Sequence, residues 1–128
     1  MRNISDFIDA KTAGLKDERL TRGEAIVLHV KPNVEQKAAV KFVIEDLIKF
    51  LGNATGKMYA YHKEAYSNSY RVEEPGRPSY GVRVTDEPGK IIINPVAVLL
   101  DADILRRYVQ RIRRLGALEE QENKDTAK

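Results

Sequence analysis

The sequence predicts an α+β domain: an antiparallel sheet of four or five strands, helices packed on one face, and a long C-terminal helix. Three observations carry that prediction. Residues 39 to 51 set apolar side chains at helical spacing among charged ones. From Lys57 to Ile93, short alternating segments follow one another, divided by Pro and Gly breakers. After Asp101 the apolar pattern returns to helical spacing. With 128 residues, 42% hydrophobic and 32% charged, the chain can fill one core and not comfortably two. One domain over residues 1–118 is expected, with a polar tail, 119–128, that frays.

Ile4 to Ile8 reads as the start of a short helix, capped by Ser5, stapled by Ile4 and ended near Gly14. Residues 16 to 23 are charged and read as a loop. Ala25 to Val30 is apolar on both faces, which predicts a covered interior strand stopped by Lys31-Pro32. Asn33 then opens the strongest helix, with Gln36 placed to complete a capping box. Ala39, Phe42, Val43, Leu47, Ile48 and Leu51 form its buried stripe. Lys37, Lys41, Glu45 and Lys49 lie opposite, with Lys41 and Glu45 spaced to pair. Gly52-Asn53 predicts its end.

Lys57 to Lys63 and Ser67 to Glu73 are expected to form a hairpin around Glu64 to Tyr66. Glu74 to Pro78 is a loop, Ser79 to Thr85 a strand, Asp86 to Gly89 a turn and Lys90 to Ile93 a further strand. Asn94-Pro95 can open a short helix through Leu100, or Val96 to Leu99 is one more short strand. Asp101 is placed to cap the last helix. On that helix Leu105, Tyr108, Ile112 and Leu115 follow steps of three and four, a narrow seam of coiled-coil type that predicts pairing of subunits. Its other side carries Arg106, Arg107, Arg111, Arg113 and Arg114.

The formal net charge is +3, but it is unevenly placed. Residues 57 to 114 hold eleven basic and seven acidic groups, whereas the first 56 residues nearly cancel. Such a distribution favours an anionic partner. The absence of cysteine excludes disulfides and thiolate metal sites and fits an intracellular protein. High charge without Cys or Trp is a composition found among hyperthermophile proteins. The polar N-terminus reads as no signal peptide, and the longest apolar run, Val96 to Leu100, is too short to cross a bilayer. His29 and His62 are the only histidines, so no metal and no cofactor is expected.

The stretch KMYAYHKEAYSNSYRV holds four of the six tyrosines, interleaved with cations. Alternation puts Lys57, Tyr59, Tyr61 and Lys63 on one face, taken as the open one. Met58, Ala60 and His62 fall on the other, which is small enough to lie against a helix. Tyr66 and Tyr70 follow on the next strand with Arg71 on its other face, and Tyr80 and Arg83 on the one after. Phenol rings stack unpaired bases, at about 1–3 kcal/mol per base, and Lys and Arg meet phosphates. A duplex hides its base faces, and the sequence has no helix-turn-helix or zinc-finger spacing. The residues therefore predict a non-enzymatic protein that binds single-stranded DNA or RNA. The arginines of the last helix would make phosphate contacts. Two other readings stand beside this. Tyrosine has high β-propensity, so the strands can be purely structural in a module whose basic helix binds an acidic protein. A small metal-independent ribonuclease using Tyr, His62 and Arg is the enzymatic alternative. Glu35-Gln36-Lys37 matches a nuclease-like Glu-x-Lys, but no Pro-Asp precedes it.

In order and character across residues 5 to 115, with KMYAYHKEAYSNSYRV and ILRRYVQRIRRL as the segments that carry it, the chain resembles the ThermoDBP-related single-stranded DNA-binding proteins of hyperthermophilic archaea. The resemblance implies a cleft beside the sheet for unpaired bases and assembly through the C-terminal helices. It implies base contacts at Tyr59, Tyr61, Tyr66 and Tyr70, and backbone contacts at Lys57, Lys63, Arg71 and Arg83.

Overall fold

Alternation along the later strands places Val72, Val82, Val84, Ile91 and Ile93 on one side of the sheet, where all five are buried. The computed structural model describes residues 3–15, 25–65, 68–95 and 102–126, without the side chains of residues 15, 78–80, 95, 102 and 122–126. Its strands are β1 (Gly14–Leu15), β2 (Ile26–His29), β3 (Ala60–Lys63), β4 (Ser69–Glu74), β5 (Arg77–Glu87) and β6 (Lys90–Pro95). They form one sheet in the order β1-β2-β6-β5-β4-β3, every pair antiparallel. The expected α+β class holds: five strands of four residues or more, extended at one edge by two-residue β1. At the other edge lies β3.

Helix α1 (Gln36–Thr55) buries Ala39, Val40, Val43, Ile44, Leu47 and Leu51 in the core with the valines and isoleucines of the sheet. Its ends differ from the sequence expectation. Glu35 is the N-cap, with no side-chain cap bond. Gln36 does not complete a capping box because its amide is used elsewhere. The two hydrogens of Nε2 are shared among three acceptors, Asp86 Oδ1 (2.6 Å) and the carbonyls of Glu87 (2.8 Å) and Lys90 (3.0 Å), while Oε1 accepts from the Gly89 amide (3.3 Å). The helix start is thereby fastened to the β5–β6 hairpin. At the other end the helix runs through Gly52-Asn53 and stops at Gly56, whose φ of 72° is the left-handed conformation of a C-terminal cap.

The N-terminal segment forms two 3-10 turns, Ile4–Asp6 and Ala10–Thr12, instead of one helix. Asn3, not Ser5, caps the first turn in a reciprocal box with Asp6, and Asp9 caps the second. The Ser5 hydroxyl reaches Asn3 and Glu119 instead. Gly14 opens β1. The loop expected at 16–23, the element expected at 96–100 and the cap at Asp101 lie outside the described residues.

Helix α2 (Ala102–Thr126) continues through most of the segment expected to fray. It packs on both 3-10 turns, β1 and α1. At Gly116 it passes close to the second turn: a Cβ there would stand 2.4 Å from Ala10 Cβ. Arg113 Nε donates to the Ala13 carbonyl (2.8 Å), and Lys11 pairs with Glu120 at 2.6 Å, which raises the Lys11 pKa. The seam expected to join subunits is occupied within the chain. Leu105, Tyr108 and Ile112 are buried in its own core, and Leu115 packs against it half-buried. A stripe spaced three and four fits any apolar surface, and the N-terminal turns and α1 provide one here. The Tyr108 hydroxyl donates to Asp46 Oδ2 (2.9 Å), and the Arg111 guanidinium holds both Asp46 oxygens (2.9 and 3.3 Å). The Tyr108 ring lies 5.0 Å from that of Phe50.

Candidate functional site

Strand register decides which way the tyrosines look. Tyr61 stands opposite Val72, which stands opposite Val82; Lys63 stands opposite Tyr70, which stands opposite Val84. Partners across an antiparallel pair share a face, so Tyr61, Lys63 and Tyr70 lie on the helix-bearing side. This inverts the sequence expectation. The small set, Met58, Ala60 and His62, is the one expected against the helix, yet Met58 is 81% exposed and Ala60 and His62 are exposed. The rings take the core side because they extend the rows of Val72 and Val84.

The four expected base-contact tyrosines therefore separate. Tyr59, just before β3, is 7% exposed and part of the core. Tyr61, on the edge strand, remains 47% exposed, and Tyr70 is half-buried. Tyr66 lies outside the described residues, as does the side chain of Tyr80.

Tyr61 and Tyr70 border a groove of about 200 Å³ between the first half of α1 and the sheet. Val40 and Ile44, one turn apart, form its apolar wall. Lys37 and Lys41, also one turn apart, stand on the helix beside it, and Asp86 bounds the β5 end. In the strand register Tyr61, Tyr70 and Asp86 run diagonally across β3, β4 and β5, each step about 7–8 Å. Both lysines are exposed, and among the described residues neither is engaged in an ion pair, Lys41 with Glu45 included. Lys63 is exposed on the same face. The groove thus joins ring faces, an apolar wall and the ammonium groups of Lys37 and Lys41, which pair with no acid among the described residues. That combination can hold a flat, unpaired ring next to a negative charge. Reasoning from sequence missed Lys37, Lys41 and Asp86; the available signal was the pairing of Lys37 and Lys41 with Val40 and Ile44 at one-turn spacing.

The expected phosphate contacts Arg71 and Arg83 lie on the opposite side of the sheet, in one cross-strand row with His62. They are engaged with acids. Arg83 Nε bonds Glu64 Oε1 at 2.6 Å, with a second contact at 3.4 Å. Arg71 stands 3.5 Å from Glu73 and 4.0 Å from Glu64, and His62 Nε2 is 3.1 Å from Glu73. The hydrogen bond from Arg83 holds the Glu64 pKa below the usual carboxylate range against a smaller desolvation effect, and raises that of Arg83 in turn. Charges of both signs alternate on this face, so it projects little net field. Lys57 pairs with Glu74 at 3.7 Å.

The arginines of α2 are also partly spent. Arg111 holds Asp46, Arg113 holds the Ala13 carbonyl, and Arg107 pairs with Asp103 at 3.6 Å. Arg106 is half-buried and engaged, and Arg114 is exposed. They do not form one array directed at the tyrosine groove. A larger cleft, about 420 Å³, lies between the N-terminal turns and the far half of α2. Its lining includes Lys11 and Glu120, which pair with each other, and Ser5 and Glu119, which hydrogen-bond. No ring enters that lining, so the smaller groove is the better candidate site.

Among the described residues, no three His, Asp or Glu side chains are grouped to hold a metal ion, and no helix is long and apolar enough to cross a membrane. Comparison with protein-family models, with characterised proteins and with solved structures finds no match to the chain.

Proposed function

We propose that the protein binds single-stranded nucleic acid, with DNA as the principal ligand, in the groove between α1 and the edge of the sheet. An unpaired base lies against Tyr61 and Tyr70, and Lys37, Lys41 and Lys63 meet the phosphates on either side of it. The observation that carries this reading is the meeting of a 47% exposed tyrosine with two lysines free of ion pairs across an apolar groove. Stacking supplies about 1–3 kcal/mol per base. Each phosphate neutralised adds a salt-dependent gain through counterion release. Within a duplex the base faces are stacked on one another and are not open to Tyr61 and Tyr70. The resemblance to the ThermoDBP-related proteins points to the same ligand. The role is binding, not catalysis, and it draws on one copy of the chain.

Fluorescence anisotropy with a labelled single-stranded oligonucleotide and its matched duplex, titrated at several salt concentrations, tests the proposal. The single strand should bind more tightly, with a slope of log affinity against log salt of about −2 for three lysine contacts. Equal affinity for the two forms would mean a generic basic surface and end the proposal.

A further inference from the structure

Asp86 is an unusual neighbour for a phosphate-binding groove, because its charge opposes the ligand backbone. Its surroundings explain what it can do. Oδ1 accepts from Gln36 Nε2 at 2.6 Å, and the backbone amide of Asp86 donates to the Asn68 carbonyl at 2.8 Å. Gln36 is itself fixed through the Glu87 and Lys90 carbonyls and the Gly89 amide. The carboxylate is therefore tied at one oxygen to a side chain that is itself anchored to the β5–β6 hairpin. Among the described residues no donor is bonded to its second oxygen. That oxygen belongs to a residue lining the groove next to Tyr70, at the end away from Tyr61.

We infer that Asp86 selects the base: it is the specificity-determining residue of the groove, accepting a hydrogen bond from an exocyclic amino group and so favouring cytosine over uracil or thymine. This rests on the proposal that the groove binds single strands. An ionised carboxylate only accepts hydrogen bonds. Cytosine presents N4–H at the edge where uracil and thymine present the O4 acceptor. With cytosine the second oxygen of Asp86 gains a donor. With uracil two acceptors face each other, and both lose water without compensation. A groove of about 200 Å³ is smaller than the usual range for drug-sized ligands, about 300–1,000 Å³, and suits a single ring.

The test compares oligo-deoxycytidine with oligo-deoxyuridine of equal length by anisotropy at pH 8, for the unaltered protein and for Asp86→Asn. The unaltered protein should bind the cytidine strand about tenfold more tightly, as expected for one hydrogen bond to a charged acceptor. Asp86→Asn keeps an oxygen for Gln36 and turns an amide N–H₂ toward the groove, so the preference should vanish or reverse. A cytidine strand with N4,N4-dimethyl bases tests the same contact without altering the protein, and should bind the unaltered protein no better than the uridine strand. Tight binding of both strands with no preference would overturn the role of Asp86 and leave single-strand binding intact. Binding of neither strand would overturn both. A cytidine preference that survives in Asp86→Asn and in the dimethylated strand would also overturn it.

Discussion

Tyr59 and Tyr61 are two residues apart, yet one is buried and the other half exposed. Replacing each by Ala separates the effect on stability from the expected effect on binding. Tyr59 is 7% exposed, so its truncation removes a buried aromatic and leaves a cavity, at a cost of about 3–5 kcal/mol in stability. Tyr61 is 47% exposed on an edge strand. About half of a side chain that can bury some 150–250 Å² is already in water, so its truncation should cost about 2–3 kcal/mol. In affinity the order reverses. Tyr61→Ala removes a stacking face and should weaken single-strand binding by about 1–3 kcal/mol, roughly 5- to 150-fold. Tyr59→Ala, measured where it is still folded, should bind nearly as the unaltered protein does. Tyr61→Leu is the control, keeping the apolar cover over Val40 and Ile44 while losing the π-face. Urea denaturation and anisotropy on the same samples give both quantities. If Tyr61→Leu binds as tightly as the unaltered protein, the ring is structural and the groove does not stack bases.

Three further outcomes are expected. Lys37→Gln with Lys41→Gln should weaken binding to all sequences alike and flatten the salt slope by about 1.4, read from titrations at several salt concentrations. Tyr108→Phe should cost about 1.5–3 kcal/mol in urea melts, because a buried hydroxyl donates to the Asp46 carboxylate. Burial, and next the charge of Asp46, hold the Tyr108 pKa well above its ordinary value. Above about pH 10 the unfolded chain therefore releases a proton that the folded chain keeps, and stability falls by up to about 1.4 kcal/mol per pH unit. Tyr108→Phe should lack that share of the alkaline loss. Ile112→Ala should lower stability by about 2–5 kcal/mol at every protein concentration, since the side chain lies in the chain's own core. A deficit that disappears on concentrating the protein would restore the subunit seam.

Much of the fold could be read from the sequence because local pattern and tertiary demand agree there. Val82, Val84, Ile91 and Ile93 alternate as a half-buried sheet must, and α1 carries its stripe where the core needs it. Strand β3 offered no such agreement. It has no Val or Ile to mark the inner face, and as an edge strand it exposes part of either face. The deciding signal lay one strand away. Tyr70 shares parity with Val72, and the hairpin register then brings Tyr61 to the same side. The α2 seam was ambiguous for another reason, since spacing fixes an apolar stripe but not its partner. Nothing in the sequence groups Lys37 and Lys41 with Asp86, because distant segments bring them together. The side chain of Gln36, which joins the helix to the β5–β6 hairpin, reads in sequence as an ordinary cap.

The union of the first and last parts of the chain has a kinetic consequence. Arg113 reaches back 100 positions to Ala13, and Ser5 is joined to Glu119 across 114. Contacts this distant form only after a large entropic cost of closure, and they slow folding. While the polypeptide is being made, the contacts between the opening turns and the closing helix must wait until that helix has left the ribosome. The β3–β6 half, built from neighbouring hairpins, can assemble long before that.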